Sequence, residues 1–125
     1  MKFVFDSSAW VAYLKGTAQA EKLNEILETV LVGTSICALA EIADRCEKYN
    51  QDAEKAITFI EAKATIIPIT TDILLRAAKL KNHLRKTRPK FGLFDALHLA
   101  TAEQQHATFV TADADFSGLN NVLLL

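Results

Sequence analysis

The sequence has too little cysteine to be cross-linked and no apolar run long enough to span a bilayer. Cys37 and Cys46 are its only cysteines in 125 residues. They lie nine apart on one expected helix, about 13 Å along its axis at about 1.5 Å per residue, too far for an intramolecular disulfide. Both read as buried thiols. His83, His98 and His106 form no pair that joins them at zinc-site spacing, which argues against zinc. Every hydrophobic stretch stops well short of the roughly 20 residues a membrane helix requires, and the N-terminal run meets Asp6 and Lys15 too soon for a signal peptide. A cytoplasmic protein without membrane association is the expectation. No repeat, low-complexity tract or linker interrupts the chain, so residues 1–125 read as a single domain. With 50% hydrophobic and 23% charged residues, the composition fits a folded core and excludes a disordered chain.

Acidic residues are missing from one long segment. Between Ile73 and Phe94 there is none, while Arg76, Lys79, Lys81, Arg85, Lys86, Arg88 and Lys90 supply seven of the fourteen basic residues. That segment carries +7 against −8 for the remainder, hidden inside a net charge of −1. A solvated helix face followed by a charged loop is the plain reading of such a run. Its position adds to that, because it leads directly into Asp95.

Strand and helix signals alternate. "KFVF" reads as a buried strand, "SSAWVAYLKG" as a helix with Ser7 or Ser8 at its cap, and residues 18–29 as a second helix. "VLVGTS" is the next strand, with Thr34 or Ser35 capping the helix "ICALAEIADRCEKY" and a further helix over residues 51–63. "ATIIPIT" is a strand whose Pro68 suggests a sheet edge. Thr70 or Thr71 caps the basic helix "DILLRAAKLKNHLRK", which should end before Pro89. A helix starting near Phe94, the strand "ATFVTA" and a last strand "NVLLL" complete the chain. The pattern predicts an α/β fold, a doubly wound three-layer sandwich with a central parallel sheet of four to five strands and helices on both faces.

In such sheets ligands bind beyond the carboxyl ends of the strands. Asp6 follows "FVF" and Asp113 follows "TFVTA", both at that edge; Asp95 opens a helix after a glycine loop, and Glu41 lies about two turns into a helix leaving a strand. Singly, each has a plainer role: Asp6 as a helix cap, Asp95 as a dipole partner, Glu41 paired with Arg45 at i,i+4, Asp113 in an Asx-turn. Together, four carboxylates in one pocket repel unless a cation offsets them. Oxygen ligands without cysteine or paired histidine point to Mg²⁺ or Mn²⁺, and such ions serve in-line displacement at phosphorus. A phosphodiester substrate follows, with the basic segment holding its backbone. Thr111 offers a hydroxyl at the same edge. Asp115 shares the face of Asp113 if the chain stays extended, and becomes a cap or supporting group if it turns.

"FDSSAW", "SICALAEI", "FGLFDALHLATA" and "FVTADADF" resemble, in that order, the four acidic blocks of the PIN domain family, over essentially the whole chain. The resemblance implies a Mg²⁺- or Mn²⁺-dependent endoribonuclease, and chains of this extent look like VapC-type toxins, commonly homodimers inhibited by a small antitoxin. Carried over, Asp6, Glu41, Asp95 and Asp113 match the acidic positions, with Asp6, Asp95 and Asp113 as metal ligands. Ser7, Thr111 and Asp115 are supporting residues. Arg76, Lys79, Arg85, Lys86, Arg88 and Lys90 are the RNA-binding candidates. His98 stands where many members have an aliphatic residue and reads as a half-buried, hydrogen-bonded histidine. The alternative is a catalytically silent PIN-fold module that binds RNA or protein. An aspartyl-phosphate enzyme fits less well, since Ser8 stands where common phosphatases of that kind place a second acid. Apolar residues of the first helix, Trp10, Val11, Tyr13 and Leu14, suit either the core or an interface.

Overall fold

A computed structural model describes residues 1–125. Five strands, β1 (Phe3–Phe5), β2 (Val32–Ser35), β3 (Thr65–Ile67), β4 (Thr108–Thr111) and β5 (Val122–Leu124), form one sheet in the order β3-β2-β1-β4-β5, and every pairing is parallel. Six helices connect them: α1 (Ser7–Leu14) and α2 (Ala20–Thr29), α3 (Ile36–Lys48) and α4 (Ala53–Lys63), then α5 (Thr71–Leu84) and α6 (Leu93–Gln104). The expected doubly wound α/β architecture is what forms, with five strands and with β3, followed by Pro68, at an edge.

Period-two alternation along the strands explains why both faces are covered. Val4, Ile67 and Phe109 turn to one face, where they pack with α5 and α6 residues such as Ala77, Leu80 and Leu99. Their neighbours Phe5, Ile66 and Val110 turn to the other, against Trp10, Leu23, Leu39 and Ile60 of α1–α4. Trp10 is fully buried and its indole N–H donates to Thr34 Oγ1 at 3.2 Å, whereas Val11 and Tyr13 are half-buried and Leu14 is exposed. The first helix therefore divides between core and surface.

Short polar side chains set where the helices start. Asp6, Ser35, Asp52 and Thr70 each accept a hydrogen bond from a backbone N–H in the first turn that follows, satisfying donors the helix itself leaves free. The cap of α1 is thus Asp6, the plainer role its position suggested, and not Ser7 or Ser8. The Ser8 hydroxyl instead donates to Asp6 Oδ1.

The strand order places the topological switch between β1 and β4, which diverge from each other through connections on opposite faces. A crevice forms there beyond the strand ends. Behind it, Phe116 packs its ring against Phe109 at 4.8 Å and Phe91 at 5.4 Å between centroids, anchoring the 3-10 turn Ala114–Phe116 that follows β4. Phe116→Ala should cost about 3–5 kcal/mol, as aromatic-to-alanine core truncations do, read as a lower urea midpoint with an unchanged denaturant slope.

Candidate active site

Asp6 lies at the carboxyl end of β1 and is 3% exposed. Its Oδ1 accepts from Ser8 Oγ at 2.7 Å and the Ala9 N–H at 2.9 Å; its Oδ2 accepts from Thr111 Oγ1 at 2.6 Å. Thr111 ends β4, so this last bond ties the two strands at the switch point. Burial pushes the Asp6 carboxyl above its usual range, and the hydrogen bonds from Thr111, Ser8 and Ala9 offset only part of that.

Glu41 reaches the same crevice from α3. Its Oε1 accepts from Ser7 Oγ at 2.8 Å and from His98 Nε2 at 2.5 Å. A carboxylate oxygen already held by a serine hydroxyl can only accept, so the imidazole proton stands on Nε2. Burial raises Glu41, but its bonds to His98 and Ser7 and the His98 charge outweigh that and hold it below the usual carboxylate value. The i,i+4 pair with Arg45 does not form; Arg45 instead lies over the Tyr49 ring, 5.0 Å from its centroid. His98 is 2% exposed, deeper than expected, and its Nδ1 has no partner. The sequence offered one signal for it, the i,i+3 spacing from Asp95 on α6.

Asp95 occupies the first turn of α6, where its Oδ2 accepts from the Gly92 N–H at 2.8 Å. Burial raises its carboxyl most, and the Asp113 and Glu41 charges raise it further against the opposing Gly92 bond and His98. Asp113 and Glu41 therefore lie close enough to Asp95 for their charges to act on it. Asp113 follows β4 and caps the 3-10 turn, accepting from the Asp115 N–H at 2.9 Å, while its own N–H donates to Thr111 Oγ1 at 3.0 Å. The chain therefore turns after Asp113, and Asp115 does not continue an extended face. Ser8, unassigned from sequence except as a cap, links the network: besides Asp6, its hydroxyl is 3.1 Å from Thr111 Oγ1 and accepts from the Ala112 N–H at 2.9 Å.

Glu41 and Asp113 thus lie near Asp95, and Asp6 is joined to Thr111 and Ser8, with His98 acting on Asp6, Glu41 and Asp95. The basic candidates divide. Arg85, Lys86 and Lys90 are exposed on the loop that runs into α6 and Asp95. Arg88 is half-buried; one guanidinium nitrogen donates to the Asp115 carbonyl at 2.7 Å and its Nε is buried without a partner, so it braces the turn after Asp113. Arg76 pairs with Glu103 at 2.8 Å, eight residues beyond Asp95 on α6, and Lys79 is exposed one turn further along α5.

Carboxylate oxygens suit a hard cation. Asp95, Asp113 and Glu41 each keep one oxygen that accepts no protein hydrogen bond. No three acidic, histidine or cysteine side chains stand at metal-ligand spacing.

The family model of the PIN domain matches residues 3–121. The chain belongs to the PIN domain family. Among solved structures it is similar to a toxin–antitoxin complex chain from Klebsiella pneumoniae, at 24% identity over 98% of this chain and 96% of that one, with a TM-score of 0.78. A chain of VapBC2 from Rickettsia felis, solved on a promoter DNA fragment, aligns at 19% identity over 100% and 98% with a TM-score of 0.79. VapC20 of Mycobacterium tuberculosis, described as a sarcin–ricin-loop-cleaving toxin, aligns at 20% identity over 97% and 98% with a TM-score of 0.72. No curated protein sequence matches the chain. No helix is long and apolar enough to cross a membrane.

The raised Asp6 carboxyl has a consequence for stability. A carboxyl whose folded pKa lies above its unfolded value favours the fold only while protonated, and that contribution is lost as pH rises through the folded pKa. Asp6→Asn, whose amide can still accept from Ala9 and donate to Thr111, should therefore melt at a higher temperature than the native chain at pH 7. The gap should narrow as pH falls into the carboxylate range, followed by calorimetry of both proteins. Glu41 acts with the opposite sign: its contribution is present above its ordinary pKa and fades as pH falls through the lowered one.

Proposed function

We propose that the chain is a Mg²⁺- or Mn²⁺-dependent endoribonuclease, the toxin of a VapBC-type pair. What supports this reading is the PIN fold, with Asp6 and Asp113 beyond the carboxyl ends of β1 and β4, the Asp95 carboxyl raised by burial and by the Asp113 and Glu41 charges, and an unshared oxygen on each of Glu41, Asp95 and Asp113. Asp6, Asp95 and Asp113 would hold the ion, with Glu41 reaching it directly or through water. When bound, such an ion lowers the pKa of a coordinated water and offsets charge on the phosphoryl group.

The protein's own part is orientation. Three hydrogen bonds leave the Asp6 carboxylate no freedom to rotate. Thr111 holds Asp6 and the Asp113 backbone at once. Ser7 and His98 fix one Glu41 oxygen and leave the other for the water or the ion. Arg85, Lys86 and Lys90 bind flanking phosphates from the loop before α6. Hydrolysis puts the water oxygen on phosphorus and releases the 3′-oxygen as an alcohol, leaving a 5′-phosphate on the other fragment. The description of VapC20 as a sarcin–ricin-loop-cleaving toxin supports a nuclease reading, and the recurrence of toxin–antitoxin complexes among the structural neighbours supports an antitoxin partner. A homodimer belongs to the same proposal.

A silent RNA- or protein-binding module is the second reading. It draws on the absence of three side chains at metal-ligand spacing. Purified protein should cut a mixed RNA pool with Mg²⁺ or Mn²⁺, lose that activity in EDTA, and lose it in Asp6→Asn, with cutting weakened as salt rises. Native protein that binds RNA and never cuts it under either metal would favour the module.

A further inference from the structure

A second cavity adjoins the acidic centre on the side away from the basic loop. It has a volume of about 500 Å³ and lies between α1 and α3, within the size range of small-ligand pockets. Ser7 and Glu41 form one end and so belong to both sites; Val11 and Ile42 supply apolar wall; Lys15 and Arg45 stand among the lining residues as its only cations. Neither cation makes an ion pair, since the two such contacts in the molecule are Arg76 with Glu103 and His98 with Glu41. Glu41, the natural partner of Arg45 by spacing, is taken by Ser7 and His98. Arg45 is instead left over the face of Tyr49, itself 53% exposed, with Lys48 Nζ also 5.5 Å from that ring.

We infer that this cavity is a subsite for one nucleotide of a single-stranded RNA, next to the phosphodiester at the acids; the inference rests on the ribonuclease reading above. Lys15 and Arg45 take its phosphate, the Val11 and Ile42 wall takes its sugar and base, and Tyr49 offers a stacking surface to the following base. Charge complementarity selects this occupant. A cleft negative at one end and positive at the other matches a polyanion whose reacting phosphate sits on a metal-loaded acidic centre while its neighbour needs a cation. Exposed aromatic rings beside arginine and lysine are the usual means of binding unpaired bases without reading their sequence. With the basic loop on the other side of Asp95, the strand is held on both flanks of the reacting bond.

The test is fluorescence anisotropy of a labelled, mixed-sequence single-stranded RNA on the uncut Asp6→Asn protein, across a salt series. The same measurement is made with Lys15→Ala/Arg45→Ala added, and with Tyr49→Ala added. The double change should weaken binding at least about tenfold at low salt and flatten the dependence of log Kd on log salt by about 0.7, for the one phosphate no longer neutralised. Tyr49→Ala should weaken binding about fivefold or more with the salt slope unchanged, as removal of one stacking surface does. Lys15→Arg/Arg45→Lys should restore affinity. The substitutions lie on or near the surface, and unchanged melting temperatures exclude a folding defect. If Lys86→Ala/Lys90→Ala weakens binding while the Lys15 and Arg45 change leaves Kd and slope alone, the subsite is wrong and the ribonuclease reading stands. Should the double change spare RNA and abolish binding of an acidic peptide, the cavity belongs to a protein ligand and the inference also falls. Native protein that neither binds nor cuts RNA removes both the reading and the subsite.

Discussion

The bond from Thr111 to Asp6 joins the ends of two strands that the fold sends in opposite directions. β1 continues into α1 and the helices of one face; β4 continues into the turn that carries Asp113. A carboxylate buried to this degree is costly unless its oxygens are satisfied, and here three donors from α1 and β4 supply that satisfaction. Because the donors are Ser8, Ala9 and Thr111, the geometry that solvates Asp6 also sets the start of α1 and, through the Asp113 N–H on Thr111, the departure of the chain after β4. One buried charge thus organises the strand ends around it. The residual desolvation, seen as a raised carboxyl, is stabilising free energy withheld from the fold and available to a cation.

His98 and Glu41 form the complementary half. Asp6 and Asp95 are pushed toward protonation by burial, while Glu41 is held ionised by two donors. The crevice therefore combines acids that resist their charge with one that keeps it. Such a mixture suits a centre where a proton must leave a water and the product charge must be tolerated. The unpartnered Nδ1 of His98, a buried residue of α6 whose ring lies edge-on to Phe94 at 6.5 Å between centroids, shows that the ring is oriented by the Glu41 bond and by packing alone.

Much of the architecture was legible in the sequence for a simple reason. Strands buried on both faces read as short continuous apolar runs, and the helices between them carry caps with named oxygen acceptors, so the alternation was visible at once. Asp6 and Asp113 stood out because an acid directly after an apolar run is placed by the strand that precedes it. What escaped were choices of rotamer. The spacing of Glu41 and Arg45 permits a pair but does not require one, and competition from Ser7 and His98 decided against it. Arg88 looked like its basic neighbours, yet the Asp115 carbonyl draws it inward. Ser8 looked like a cap, yet the deeper acceptor Asp6 took that place and left the serine hydroxyl to bridge Asp6, Thr111 and Ala112. Each of these outcomes depends on residues distant in sequence, and no local pattern encodes them.

The net charge of −1 conceals a spatial order that follows from the same competition. Acids gather at the switch point because strand ends and helix starts deliver them there. No arginine or lysine neutralises them in place: Arg88 is turned to a carbonyl, and Arg76 is engaged by Glu103. The remaining lysines and arginines stand on the flanks, on the loop before α6 and at the α1–α3 cavity. Had Arg45 paired with Glu41, or Arg88 with Asp113, the crevice would carry one negative charge fewer and attract a divalent ion less strongly. Keeping internal cations off the acids preserves the negative potential that attracts a metal, and leaving cations free on both sides preserves the positive potential that attracts the polyanion the metal would act on.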